Sequence, residues 1–230
     1  MSESTVPQHI AIIMDGNRRW ASEHGLPKIF GHTEGVKTFR MITEYAGNCG
    51  IKYLTFWALS TENFKKRSEE ELNHIFNLMD KQLDSIDDLL KNNIQLRVIG
   101  DTTKLPLALQ EKLARVIETS KNDTGMVLVL AINYGGRDEL VRTMKKMIDA
   151  GIKSEDISEE TIPHYLDTAG IPDPDMIIRT GGDQRLSGYF SWQSTYAELY
   201  FTDVKWPAFT KEHFSEATEW FAKQKRNKGK

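Results

Sequence analysis

One cysteine, Cys49, stands in 230 residues. A lone thiol forms no intrachain disulfide and has no partners for a zinc site. The chain is therefore expected in a reducing compartment, with Cys49 as a small buried hydrophobe. No apolar run approaches the ~20 residues of a membrane-spanning helix, and the first residues, MSESTVPQ, hold no signal-peptide core. Any handling of lipid would have to be exercised from the membrane surface, so the expected location is the cytoplasm with peripheral contact at the membrane. Charge of one sign is also missing: 30 Lys and Arg against 33 Asp and Glu leave −3. That excludes a general polycation and argues against nucleic acid as a partner. The chain carries neither a Walker loop nor a GxGxxG turn, and no repeat, low-complexity segment or dividing linker.

With 39% apolar and 27% charged residues, the composition is that of a globular domain able to bury a substantial core. Short apolar runs bounded by turn residues predict strands at 10–14, 53–59, 94–99, 126–132 and 175–178, and a further short one near 199–201. Helical spacing predicts helices over 36–48, 68–92, 106–121, 138–150, 159–168 and 211–225. The longest sets Leu72, Ile75, Phe76, Met79, Leu83, Ile86 and Leu90 at three- and four-residue intervals, with Ser68 and Glu71 as a capping box. Residues 20–35 read as a mixed loop, most of which Gly25, Pro27 and Gly31 are expected to keep from being one long helix. Strands alternating with helices define the fold class as α/β: a single domain over 1–230, with a mostly parallel, about six-stranded central sheet flanked by helices on both faces. Residues 1–8 and 226–230 are expected to be flexible.

Every strand ends in polar residues: Asp15-Gly16-Asn17-Arg18-Arg19, Ser60 to Asn63, Gly100-Asp101, Asn133 to Arg137, and Arg179 to Arg185. Right-handed crossovers would bring all five loops to one edge of a parallel sheet, where open α/β sheets bind ligands. Three of the loops set Gly beside Arg. Glycine lets backbone N–H groups approach an oxyanion, and a guanidinium clamps phosphate with a planar fork of donors. Asp15 amid this positive charge would be ionised and suited to an oxygen-liganded cation such as Mg²⁺. The residues thus point to a site for one or more phosphate or diphosphate groups with a divalent metal. Asp84, Asp87 and Asp88 read as the solvated face of a helix rather than a metal cluster. Trp57, Met79 and the aromatics of 189–201 read as core or subunit interface.

The same residues carry a resemblance. MDGNRRWA, Gly31-His32, STEN, IGD, NYGGR, RTGGDQRLS, WQ and YAELYFTD, in this order from about His9 to Phe221, resemble the motifs of the cis-prenyltransferases, the family of undecaprenyl diphosphate synthase. The resemblance implies an enzyme that joins isopentenyl diphosphate to an allylic diphosphate, with Mg²⁺ as cofactor, and a homodimer with 189–206 as its candidate interface. It implies that Asp15 holds Mg²⁺ on a diphosphate, helped by Glu198 across that interface. Gly16, Asn17, Arg18, Arg19 and Lys28 would grip the primer diphosphate. His32 and Asn17 would assist near the reacting groups, with Ser60 and Asn63 over the reaction centre. Arg179, Arg185 and Ser187 would hold the diphosphate of isopentenyl diphosphate. Trp20, Phe30 and Phe64 would line the mouth of a lipid channel, with helix 68–92 and strand 126–132 as its walls.

The chain departs from the family pattern in four places. Arg18 stands where many relatives have Gly, Lys28 where Arg is usual, and Gln184 where some have His. After Asn63 the usual aromatic-x-Arg is Phe64-Lys65-Lys66-Arg67, so either Lys66 replaces that arginine or Arg67 does its work one residue later. The presence of Asp15, Asn17, Arg179 and Arg185 argues against a catalytically silent partner subunit.

Overall fold

A strand covered on both faces carries apolar residues at every position rather than at alternate ones, and HIAII does so. In the computed structural model, which describes residues 6–84 and 93–226, this segment is β1 (His9–Ile13) and all five residues are buried. It pairs in parallel with β2 (Tyr53–Ser60) on one side and β5 (Met176–Arg179) on the other. β4 (Val127–Tyr134) lies between β2 and β3 (Gln95–Ile99), and β6 (Glu198–Phe201) borders β5. The six strands are all parallel, in the order β3-β4-β2-β1-β5-β6. The order reverses at β1, whose neighbours are the second and fifth strands of the chain. A crevice at such a switch point is where ligands bind in open α/β sheets.

Alternate side chains face opposite sides of the sheet. Ile10, Ile12, Leu54, Phe56 and Ile178 enter a core completed by Ile42, Leu109, Leu113, Trp206 and Phe214. These come from α2 (Lys28–Asn48), α5 (Leu107–Ser120), α7 (Lys211–Ala222) and the 3₁₀ turn Trp206–Ala208. Ala11, Ile13, Val129, Ala131 and Ile177 face the other way, onto the rings of Tyr189 and Phe190. The helices α1 (Asn17–Glu23), α3 (Thr61–Lys66), α4 (Glu69–Asp84) and α6 (Gly136–Asp149) complete the seven among the described residues.

Four expectations are corrected. The stretch 20–35 is mostly helical, and α2 runs straight through Gly31 and Gly35. A Cβ on Gly31 would lie 2.0 Å from the Asn17 carbonyl oxygen, and one on Gly35 would lie 2.4 Å from Asn17 Oδ1. These glycines mark where α1 and α2 touch, so close contact offsets the ~1 kcal/mol that glycine costs in a helix interior. The helix expected over 159–168 is replaced by 3₁₀ turns at Ser154–Asp156 and Ile162–His164, because Pro163 removes a donor in mid-segment. Cys49 is exposed at the C-cap of α2 rather than buried. The five strand-end loops do not all share one site, as shown below. The far half of the helix expected over 68–92, with Ile86, Asp87, Asp88 and Leu90, lies outside the described residues, as do 1–5 and 227–230. The inner edges of both chain ends are tied to one carboxylate: Gln8 N–H donates to Asp175 Oδ2 at 2.8 Å, and Arg226 Nη2 pairs with Oδ1 at 2.9 Å.

His9 shows how thoroughly β1 is enclosed. It is 1% exposed, with Nδ1 2.6 Å from the Pro172 carbonyl and Nε2 2.7 Å from Thr55 Oγ1. Burial pushes its pKa down to about 4. Between the ordinary value of 6.5 and 4 the unfolded chain therefore binds a proton that the folded one refuses. This contribution to stability is complete above pH 6.5 and declines on acidification to pH 4, by up to about 3 kcal/mol. NMR titration should find the His9 ring neutral at pH 5.5, with a midpoint near 4; a midpoint near 6.5 would refute the assignment.

Candidate active site

The register places Ile13 beside Arg179, so the chain leaving β1 and the chain leaving β5 emerge together. Gly16 caps α1 with φ +101°, a left-handed conformation that glycine adopts without strain. Gly181, at φ +87°, brings the second loop close: a Cβ there would lie 2.9 Å from Arg19 Nη2 and 3.0 Å from the Asp15 carbonyl carbon. One carbonyl, that of Asp15, then ties the two loops to each other and to the 3₁₀ turn at Trp206. Asp15 O accepts Thr180 Oγ1 at 2.8 Å and Trp206 N–H at 2.9 Å.

Charge is concentrated at this seam. Arg179 has only 6% of its side chain exposed. Its Nη2 donates to Asp15 Oδ2 at 2.9 Å, and its Nη1 donates to Ser187 Oγ at 3.0 Å and to the Arg185 carbonyl. Its Nε is buried with no partner among the described residues. Arg19 Nη2 lies 3.2 Å from Asp15 Oδ1 and 3.3 Å from Asp183 Oδ2, and Arg185 pairs with Asp183 at 2.8 Å. The Arg185 bond, with the charges of Arg19 and Arg179, holds the Asp183 carboxyl below the usual carboxylate range. Two carboxylates thus face three guanidiniums, which leaves one positive charge in excess. Asp183 received no role in the sequence analysis, although the RTGGD loop that carries it was singled out.

A cavity of about 800 Å³ opens at this seam and runs beneath it. Its polar end is bounded by Asp15, Gly16, Asn17, Arg18, Arg19 and Lys28, and across from them by Ser60, Asn63, Arg179 and Ser187. His32 also lines it, from α2. Burial, reinforced by the charge of Arg67, pushes the His32 pKa down to about 4, against the opposing bond to Glu71. The other end is apolar: Val36 and Phe39 from α2, Ile75, Met79 and Leu83 from α4, Leu109 and Leu113 from α5, and Leu128 and Leu130 from β4. Trp57 and Met79, expected in the core or an interface, also reach the cavity.

Of the two candidates after Asn63, geometry selects Arg67. Lys66 is 72% exposed and bonded to Glu62 at 2.6 Å, whereas Arg67 lines the cavity with 15% of its side chain exposed. The reason is local: α3 ends at Lys66, and Arg67 adopts an extended conformation (φ −75°, ψ 153°) that redirects its side chain. Burial depresses the Arg67 pKa, and the charges of Glu71 and Asp15 oppose that shift. Ser60 spends its hydroxyl as the N-cap of α3, accepting Asn63 N–H at 3.0 Å.

Several expected residues stand apart from the cavity wall. Trp20 stacks on His24 at 4.1 Å, and Phe64 lies against Phe76 at 6.2 Å. Phe30 is 48% exposed, Arg185 is held by Asp183, and Glu198 sits on β6 with its backbone N–H bonded to Asp175. Two whole loops are absent as well. Asp101 caps the 3₁₀ turn Thr102–Lys104, and Asn133 Nδ2 donates to the Asp101 carbonyl at 2.9 Å. Tyr134 OH donates to the buried Glu139 at 2.6 Å. β2 separates β4 and β3 from β1, and none of Gly100, Asp101 or Asn133 to Arg137 lines the cavity, although β4 itself does through Leu128 and Leu130.

Comparison with known proteins is consistent along the whole chain. Residues 13–229 match the family model described as "Putative undecaprenyl diphosphate synthase". The chain belongs to the cis-prenyltransferases. Curated isoprenyl transferases include one from Clostridium tetani, 44% identical over 97% of this chain and 89% of that protein. Another, from Chlamydia caviae, is 45% identical over 100% and 95%. Among solved structures, lavandulyl diphosphate synthase from Lavandula x intermedia, in complex with dimethylallyl diphosphate, superposes with a TM-score of 0.94 at 36% identity, covering 98% of this chain and 99% of that one. A probable undecaprenyl diphosphate synthase from Campylobacter jejuni gives 0.82 at 35% identity over 100% of both.

Within this cis-prenyltransferase, Arg67→Met should weaken binding of inorganic pyrophosphate about tenfold or more, the scale of one charge-assisted bond. Lys66→Met should leave it within about twofold. Isothermal titration of both variants checks the choice, and the reverse ranking would overturn it.

Proposed function

We propose that this cis-prenyltransferase condenses isopentenyl diphosphate with an allylic diphosphate, expected to be farnesyl diphosphate, in successive cis additions. The product would be a polyprenyl diphosphate, such as undecaprenyl diphosphate or a similar lipid-carrier precursor. The observation that carries the reading is one cavity with two chemistries: a rim of arginines, lysine, histidine and amides, and an apolar interior walled by α2, α4, α5 and β4. The rim suits diphosphates and the interior suits a growing hydrocarbon.

Gly16, Asn17, Arg18, Arg19, Lys28 and Arg67 would grip the primer diphosphate, with His32, Ser60 and Asn63 beside it. Arg179, Arg185 and Ser187 would hold isopentenyl diphosphate. As the allylic C–O bond breaks, its electron pair leaves on the diphosphate, where the guanidiniums stabilise the developing charge. The double bond of isopentenyl diphosphate attacks the cation-like carbon, and an oxygen of the departed diphosphate takes the proton whose loss sets the new cis double bond.

The donor set fits Mg²⁺, which is commonly bound through one or two carboxylates together with substrate phosphates and water. Asp15 borders the cavity with 32% of its side chain exposed. Among the described residues no three His, Cys, Asp or Glu side chains cluster as a protein-only metal site. Asp15, with Glu198 of a second copy, would hold the ion, whose chemistry is to neutralise charge on the diphosphate oxygens. The second copy is part of the proposal: Tyr196 and Leu199 flank Glu198 at 60% and 38% exposure. Among the described residues no helix is long and apolar enough to cross a membrane, so product release at a membrane would use peripheral contact. The likeness to lavandulyl diphosphate synthase favours a second reading for product length, a short-chain cis-prenyl diphosphate.

Purified protein with Mg²⁺, farnesyl diphosphate and labelled isopentenyl diphosphate should yield butanol-extractable product, whose length thin-layer chromatography reports. Asp15→Asn, which keeps an acceptor for Arg179, should lower kcat about 100-fold or more without altering the circular dichroism spectrum. Absence of product from folded wild-type protein would sink the reading. Sedimentation should show a dimer for the wild type and a monomer for Leu199→Glu; an unchanged dimer in that variant would exclude the 189–206 interface.

A further inference from the structure

Glu71 occupies the third position of α4. A glutamate there commonly reaches back to the backbone of the N-cap residue, closing a capping box. Ser68 performs its half, its Oγ accepting Glu71 N–H at 3.3 Å. The Glu71 carboxylate is turned to other partners. Its Oε1 lies 3.2 Å from His32 Nε2 and 3.5 Å from Arg67 Nε. All three side chains are 13–15% exposed. His32 comes from the first turns of α2, Arg67 from the bend between α3 and α4, and Glu71 from α4 itself. One carboxylate oxygen therefore joins three segments of the cavity wall. Glu71 does not itself line the cavity, while both of its partners do.

We propose that Glu71 is a positioning residue for the diphosphate site, presetting Arg67 to receive an anion and holding the His32 ring beside it in one tautomer and orientation. This rests on the assignment of the cavity's polar end to a diphosphate. Arg67 engages the carboxylate through Nε, which leaves its terminal Nη pair as the fork that receives a phosphate oxygen. His32 is neutral near pH 7, so its contact with a carboxylate places the ring proton on Nε2. His74, the neighbouring imidazole, is occupied with Thr33 Oγ1 at 3.1 Å. Arg18 faces Arg67 across the rim, and Glu71 offsets the repulsion between these two cations. A side chain that pre-orders a flexible arginine removes an entropy cost that the ligand would otherwise meet on binding.

The test compares Glu71→Ala, Glu71→Gln and the wild type by titration with inorganic pyrophosphate, by steady-state kinetics and by thermal unfolding. Glu71→Ala should weaken pyrophosphate binding about tenfold and raise KM for the allylic diphosphate by a similar factor, with kcat changed less than threefold. Glu71→Gln, which keeps an acceptor oxygen without the charge, should recover part of both losses. Melting temperatures should fall by similar amounts in the two variants, because each removes the counter-charge of Arg67 while the Ser68 cap stays intact, so the difference between Ala and Gln reports positioning rather than stability. Wild-type affinity and KM in Glu71→Ala would overturn the proposal. So would a loss that follows a lowered melting temperature and is not relieved by Gln. If the wild type binds pyrophosphate but transfers no prenyl group, the functional reading fails while the binding comparison still decides the role of Glu71.

Discussion

The 2.9 Å pair between Asp15 and Arg179 stands at the point where the strand order reverses, and the polar end of the cavity is arranged around it. Arg179 is almost wholly withdrawn from water, and a buried guanidinium without a counter-charge is strongly destabilising. The loop after β1 must therefore deliver a carboxylate to that place. Gly16 turns the chain there, Gly181 lets the neighbouring loop come within contact, and Thr180 and Trp206 bond the Asp15 carbonyl. The pair gives the buried guanidinium its counter-charge, while Arg18 and Lys28 add further positive charge to the rim. An incoming diphosphate would exchange protein carboxylates for phosphate oxygens around guanidiniums already in place.

Beneath this rim the physical chemistry changes over a short distance. The face of the sheet that carries Leu128, Leu130 and Ile132 at β4 is roofed by α2, α4 and α5. A hydrocarbon entering this space would leave water without asking any protein group to give up a hydrogen bond, so its whole apolar area counts in favour of binding. The two ends would thus divide the labour of recognition, with directional bonds to a head and area to a tail.

Much of the fold was legible because buried parallel strands leave a plain signature: HIAII, YLTFWAL and MVLVLAI are β1, β2 and β4 within a residue or two. The site was legible at Asp15 to Arg19 and at Arg179, where turn glycines and charges follow the strands at once. The misses have physical causes. Gly31 and Gly35 look like helix breakers in one dimension and prove to be contact points in three. The helix expected over 159–168 left Pro163 out of account. IGD and NYGGR have the composition of ligand loops, but strand order alone decides which strand ends are neighbours, and composition does not reveal strand order. Glu71 looked like half of a capping box because its partners, 39 residues away at His32 and beside it at Arg67, are fixed by the packing of α2 against α4.

The glycine contacts between α1 and α2 also bear on how this cavity can change shape. With the Asn17 backbone lodged against Gly31 and the Asn17 side chain against Gly35, the two helices interlock without the side-chain layer that would let them slide. Asn17, Arg18, Lys28 and His32 consequently travel as one jaw. The opposing jaw is α4, joined to α5 through Lys112, which reaches Asp80 at 2.6 Å and Asp84 at 2.8 Å. Polar bridges of that kind re-form after displacement, whereas a backbone wedged into a glycine notch has no second resting place. A hydrocarbon lengthening in the cavity would therefore strain α4 before it strained the interlocked α1 and α2.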